Sequence, residues 1–496
     1  MKKPSPNLKL LEECFEGSKQ QFLSFVDKTL QGYHDHNLCI QELVLRISTF
    51  DPDSVLLLEK WIPAAVQTMG VRKLGLTCKS ALFDLPPDVF QAGPITFLTE
   101  LYLERCRLSR ISSTAAKVQP LKQLQRLSLK RVRLTDETLD SITATCPMID
   151  HLSLDECEGL GDNIRVSNLS KLKDFTFTDL RRKAGRPSIE IDAPRAETIK
   201  IWGFSSWSHH NKSFPNLKSL HLFRVHLSES SFEAFSCGLP CLELLNLILC
   251  HGLEEFQLSS GSIKDLVIKV AGPIRAGRVD APNISSLTFS SNFVPAISFS
   301  TASGREWESR VILTSPCVDF RYKDPWQWFL KLHELLRALS GSRVSLSIEE
   351  FPVVGPVGNR GGFVAPVAIE SLSVLGGSCY SIQGFLNCLF RVVRPRNVVQ
   401  PWIAGGAEGD WRIREANRLT EFMGRSLARR NLVDVSVEAW DERGNEWSQA
   451  GGRRSEGFEL PINGGNWKIR FRLKWREMSY LRRLLIIGDE SFVYEP

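Results

Sequence analysis

The sequence predicts an α/β solenoid: a curved parallel β-sheet with helices and irregular returns on its convex side, followed by an irregular C-terminal portion. Three observations predict it. A six-residue phrase, apolar-x-x-apolar-x-apolar, recurs eleven times between residues 40 and 289. Its steps run from 31 down to 21 residues, which is the period of a stacked repeat rather than of a domain. Many copies also carry a Cys or Val three places beyond the second strand leucine, at Cys106, Val132, Cys157, Val225 and Cys250.

The copies are IQELVL (40–45), VRKLGL (71–76), LTELYL (98–103), LQRLSL (124–129), IDHLSL (149–154) and LKDFTF (172–177). They continue as AETIKI (196–201), LKSLHL (217–222), LELLNL (242–247), IKDLVI (263–268) and ISSLTF (284–289). The apolar-x-apolar end of each is a short strand that buries alternate side chains on one face. The small Cys or Val turns inward beneath it. One repeat cannot bury its own leucines, but stacked neighbours can. At about 4.8 Å per strand, eleven strands make a curved sheet on the order of 50 Å long. This is the pattern of a leucine-rich-repeat solenoid.

The elements follow in chain order. Residues 1–34 are read as an N-terminal segment and capping helix, the helix running from about Ser18 to Tyr33 with Phe22, Phe25, Val26 and Leu30 on one side. Residues 35–300 are the regular repeats. Their returns include TDETLDSITATCP (135–147), with Thr135 or Asp136 as N-cap, and SESSFEAFSCGLP (228–240), with Ser230 and Glu233 at capping-box spacing and Gly238 closing it. Residues 301–496 are irregular repeats and a Trp-rich cap, since nine of the twelve tryptophans lie beyond residue 300. Strands are expected at SRVSLSIEE (342–350), IESLSV (369–374) and LVDVSVEAW (432–440). A loop is expected at 352–367, and an exposed turn at 402–411 leads into a helix over 414–430. Arginines around that helix (Arg391, Arg394, Arg396, Arg425, Arg429, Arg430) read as a solvated face, with an acidic partner as the alternative.

Apolar residues make up 43% and charged residues 24%, as in a folded chain and unlike a disordered one. The net charge of +6 is spread over 496 residues, so nucleic acid is not the expected partner. No run approaches the length of a membrane span, and the N-terminus does not read as a signal peptide. The expected location is the cytoplasm, the nucleus or both. The twelve cysteines show no CxxC pairing, the closest being Cys237 and Cys241, and read as reduced, mostly buried thiols.

No catalytic motif stands out. A Walker loop, GxGxxG, GxSxG and HExxH are all missing from the sequence. The histidine clusters 34–36 and 209–210 lack partners at metal spacing, and Asp136–Glu137 suit a helix start. No cofactor is expected, and the chain reads as a non-enzyme. Its chemistry is expected on the concave face, where strand residues point away from the core. There Trp202, Phe223 and Ile248 fall in consecutive repeats, with Leu244 and Val267 beside them and Lys200, His221 and Lys269 setting polar register. Exposed apolar patches with aromatic anchors are typical partner sites. The alternative reading has the Trp-rich C-terminal portion covering the patch.

Longer phrases carry a family resemblance. FLSFVDKTLQ (22–31), LPPDVF (85–90) followed by LTELYLERCRL, and LSLKRVRLTDETLDSITATCPMIDHLSLDECEGL (127–160) resemble the plant F-box/leucine-rich-repeat family. So do LKLHELL (330–336), VVRPRN (392–397) and WKIRFRLKW (467–475). The resemblance implies the substrate-recognition part of a Skp1–cullin–F-box ubiquitin ligase receptor, with a target protein on the concave face. It implies a Skp1-type adaptor as partner only if an F-box precedes Met1, because residues 1–21 are too few to hold one and the family's F-box phrases are missing. The alternatives are a stand-alone interaction module without a ligase role and a receptor for a small ligand on the concave face.

Overall fold

The computed structural model describes residues 6–48, 51–79, 82–86, 97–108, 123–181, 187–207, 214–228, 231–232, 235, 238–300, 306–314, 325–349, 364–375, 379–401, 432–441, 446–449 and 468–475. The chain divides into two compact units, residues 1–270 with 279–284 and residues 271–278 with 285–496. The copy at 284–289, counted in sequence with the regular repeats, contributes its strand to the second unit.

The first unit is a ladder of eleven parallel strands among the described residues. They are β1 (Asn7–Leu11), β2 (Glu42–Ile47), β3 (Lys73–Cys78), β4 (Glu100–Glu104), β5 (Arg126–Lys130) and β6 (His151–Asp155). The ladder continues as β7 (Asp174–Asp179), β8 (Thr198–Gly203), β9 (Ser219–Phe223), β10 (Leu244–Ile248) and β11 (Asp265–Val270). Each pairs with the next, and the repeat phrase sets the register: Leu74, Leu101, Leu127 and Leu152 stand side by side, as do Ile199, Leu220, Leu245 and Leu266. All eight are buried. Burying a leucine is worth roughly 1.5–3 kcal/mol, so these columns form the core.

Strand β1 is not among the sequence copies. Its Leu8 and Leu10 pair with Leu43 and Leu45 of β2, so it is a further rung. The phrase is incomplete there, with Ser5 where the leading apolar residue belongs. The N-terminal segment therefore contributes a strand, and the helix expected as a cap runs between β1 and β2.

Helices serving as returns include α1 (Lys19–Asp35), α2 (Pro52–Gln67) and α3 (Asp136–Thr145). Helix α1 starts on a complete capping box between Ser18 and Gln21. It buries Phe22, Leu23, Val26 and Leu30, whereas Phe25, expected on the same side, is 47% exposed. At about 100° per residue the first four share one arc of roughly 100°, and Phe25 falls about 60° outside it. Its ring rests against Phe15, centroids 5.5 Å apart. Lys60 Nζ and Trp61 Nε1 of α2 both donate to Asp27 Oδ1 of α1 at 2.7 Å. Helix α3 is capped by Thr135, whose hydroxyl accepts from Thr138 N–H. Other described returns include short parallel strands, such as Asn163–Val166 beside Ser188–Ile191.

The end of each rung has a recurrent geometry. Arg105, Arg131, Glu156, Arg224 and Leu249, each following its strand directly, have φ between 51° and 58°. Non-glycine residues rarely adopt this left-handed conformation. Here it aims the N–H at the next rung, as in Arg131 N to Asp155 O (2.7 Å) and Leu249 N to Lys269 O (2.6 Å). The same turn drives the following Cys or Val inward, and Cys106, Val132, Cys157, Val225 and Cys250 are all buried. The thiols of Cys157 and Cys250 reach the Leu129 and Leu222 carbonyls of the preceding rung, each at 3.4 Å. Two residues on, Gly159 (φ 87°) and Gly252 (φ 83°) press against the Leu134 and Leu227 carbonyls.

The second unit carries parallel strands β12 (Ser286–Ser291), β13 (Glu308–Thr314), β14 (Arg343–Glu349), β15 (Val367–Leu375) and β16 (Val393–Pro401). The direction then reverses. Strands β17 (Leu432–Asp441), β18 (Glu446–Gln449) and β19 (Lys468–Trp475) pair antiparallel, with β19 set against both β16 and β17. Helices α4 (Pro325–Ala338) and α5 (Cys379–Val392) contribute aromatics to a packed cluster in which Trp328, Phe329 and Phe385 lie 5.0–6.0 Å apart, centroid to centroid. The strands expected at 342–350, 369–374 and 432–440 are present. The loop core at 352–363, the turn at 402–411 and the helix at 414–430 lie outside the described residues, as do Ser230, Glu233 and the His209–His210 pair. Of the arginines, Arg391 and Arg394 lie over the rings of Trp326 and Trp475, and Arg396 pairs with Glu370 at 3.4 Å.

Candidate partner-binding face

Because side chains alternate along a strand, every rung that buries two apolar residues presents three on the opposite face. In the first unit these form straight rows across the ladder. Over β8 to β11 one row reads Thr198, Ser219, Leu244, Asp265; the next Lys200, His221, Asn246, Val267; the third Trp202, Phe223, Ile248, Lys269. All eight residues singled out in the sequence therefore lie on this face and on four adjacent strands. Trp202 is 46% exposed and the other seven are half-buried.

The patch is assembled by pairwise contact. The Trp202 and Phe223 rings are 6.0 Å apart and tilted by 49°. The Arg224 guanidinium, placed by its left-handed backbone, sits 5.2 Å from the Phe223 ring centre and 5.5 Å from that of Phe204. Asn246 Nδ2 and His221 Nδ1 are 3.3 Å apart across neighbouring strands. Burial first, and then the neighbouring Lys200 charge, hold the His221 imidazole below its ordinary value, which favours the neutral ring.

The other end of the face differs in kind. There the middle row is Val44, Gly75, Tyr102, Ser128, Ser153 and Thr176, whose small members leave a trough of about 480 Å³. Its rim alternates in charge: Lys73 pairs with Glu100 at 2.9 Å, and His151 Nε2 lies 2.7 Å from Asp174. Tyr102 donates to Glu104 at 3.0 Å, and burial together with that carboxylate pushes its phenol up to about 12. Following only the column three places beyond each strand leucine bypasses this trough. The run of small residues one place beyond the leucine is the sequence signal that finds it.

Among the described residues no three His, Cys, Asp or Glu side chains come together as a metal site. No helix among them is long and apolar enough to cross a membrane.

Residues 33–212 match the family model described as At1g61320/AtMIF1, LRR domain. Residues 193–302 match that of FBD-associated F-box protein At5g56370, LRR repeats. Between them the two cover strands β2 through β12. The chain is a leucine-rich-repeat protein whose repeats are similar to those of plant F-box proteins. It is also similar to an Arabidopsis thaliana protein named "Putative F-box protein At1g49610", at 22% identity over 284 residues. That match covers 57% of this chain and 60% of the relative, so the chain spans well under two thirds of the relative's length. No solved structure matches significantly. Both matched models describe repeat domains, and the Trp202–Phe223 patch lies on the face of the repeat ladder they match.

Proposed function

We propose that this chain is a non-enzymatic binding scaffold that captures a protein partner on the ladder face over Trp202, Phe223 and Ile248. We further propose that it acts as the substrate-recognition part of a Skp1–cullin–F-box ubiquitin ligase. One observation carries the first statement: a half-exposed tryptophan heads a contiguous apolar row, Trp202, Phe223 and Ile248, flanked by Leu244 and Val267 among otherwise polar face residues. Aromatic anchors of this kind dominate protein–protein recognition. The second statement is supported by the match to a model of an F-box protein's repeats. Ubiquitin transfer would then belong to other subunits, and this chain would contribute affinity and orientation.

The test is recovery of the tagged protein from plant tissue under proteasome inhibition, wild type beside Trp202→Ser/Phe223→Ser. Where an F-box precedes the chain, co-recovery of a Skp1-type adaptor in both, with a ubiquitinated protein in the wild type alone, is the expected result. Recovery of a partner without adaptor reduces the role to a stand-alone interaction module. The trough around Tyr102 favours a second reading, a small polar ligand held between charged rims. It would show as a thermal shift with metabolite pools that is abolished in Tyr102→Ala.

A further inference from the structure

Resting on the reading of the ladder face as a partner site, we infer that the bound segment is an extended acidic–apolar peptide that crosses the strands, with two carboxylates bracketing apolar anchors. The charge pattern of the face points to it. On the early rungs opposite charges neutralise one another, as in Lys73–Glu100 (2.9 Å) and Lys130–Glu104 (3.6 Å). At the patch they do not. Among the described residues neither Lys200 nor Lys269 has a carboxylate partner, and Asp265, on the far row, is already engaged. The Arg224 guanidinium adds positive charge beside Phe223.

Half-buried lysines against an apolar surface are partly desolvated, so an incoming carboxylate gains more from them than from a fully hydrated ammonium. Their spacing selects a ligand geometry. Lys200 stands in the middle row on β8 and Lys269 in the third row on β11, three strand spacings across and two residues along, or about 16 Å apart. An extended chain advances about 3.3 Å per residue, so acids roughly five positions apart reach both. The intervening residues lie over Phe223, Ile248 and Val267, where aromatic or branched side chains fit. A basic segment would meet like charge at both ends.

The experiment is selection of random twelve-residue phage-displayed peptides on the whole chain, followed by anisotropy titration of enriched sequences. Expected are peptides with Asp or Glu about five positions apart around a Leu or aromatic residue. Lys200→Glu/Lys269→Glu should weaken them by about tenfold or more, with a steeper loss at low salt. Trp202→Ser should also abolish binding. Enriched peptides that need Trp202 but show no acidic preference, or are indifferent to the lysine reversal, overturn the inference and leave the partner-binding reading standing. Peptides that bind independently of Trp202, or no enrichment, overturn both.

Discussion

Trp202 and Phe223 are direct neighbours across β8 and β9, their rings 6.0 Å apart on the face opposite the buried pair Ile201 and Leu222. The two sides of one rung therefore do different work. The buried side holds the ladder together, and the opposite side carries the proposed partner site.

That division has a stability signature. Trp202→Ser removes a side chain that is 46% exposed and should change unfolding free energy by less than about 1 kcal/mol. Leu222→Ala, at a position 1% exposed, should cost about 2–5 kcal/mol. Urea denaturation of the two variants checks the contrast.

A glycine in the slot following Cys250 is required by close approach. A Cβ on Gly252 would come within 2.0 Å of the Leu227 carbonyl oxygen, at a φ of 83° that alanine resists. Gly252→Ala should therefore destabilise the ladder by more than about 2 kcal/mol. Gly261→Ala, whose Cβ would meet nothing within 4 Å, provides the control, and differential scanning calorimetry reads both.

Asp51 caps α2 and pairs with Lys19 at 2.7 Å. The Lys19 ammonium first, then the Ser54 N–H and hydroxyl, hold its carboxyl at about 2, below the ordinary 3.8. A depressed carboxylate contributes stability above its unfolded pKa and loses it as pH falls through the folded one. The contribution should thus fade between about pH 4 and pH 2. Asp51→Ala should cost about 1 kcal/mol at pH 7 and almost nothing below pH 2, as followed by thermal melts across pH.

His221 should titrate below 6.5 by NMR, since burial and then Lys200 favour the neutral ring. As pH drops below the unfolded value the unfolded chain takes up this proton first, so stability falls there. Lys200→Met should move the midpoint upward while leaving the burial contribution in place. An unmoved midpoint would remove Lys200 as a cause.

Thiol chemistry should divide by position. Cys157 and Cys250 are pushed up to about 12 by burial, and should resist alkylation of the native protein at pH 8. Cys14, Cys39 and Cys241 are exposed and should react at once. Peptide mapping after brief iodoacetamide treatment distinguishes the two sets.

The ladder was legible because its physics is local and periodic: two buried residues per rung, a small inward residue, and a return. Strand β1 escaped because Ser5 breaks the phrase while Leu8 and Leu10 still fill the columns. Phe25 was misplaced because a helix face is set by angle, and one residue at its margin turns outward. The patch residues could be located from alternation alone, since register follows from the leucines. The trough could not be seen in a search for large side chains, because Gly75, Ser128 and Ser153 make it by what they lack. The left-handed residues Arg131 and Leu249 carry no compositional mark, since the backbone demand is met by ordinary side chains held in place by the next rung.

The most direct test places a photo-crosslinking amino acid at Phe223 on the face and, separately, at Glu190 on the short strands of the returns, in protein expressed in its native tissue. The account predicts one discrete adduct from position 223, absent from position 190 and lost in Trp202→Ser protein that melts like wild type. Adducts of equal yield from both positions, or an adduct at 223 that persists without Trp202, would contradict it.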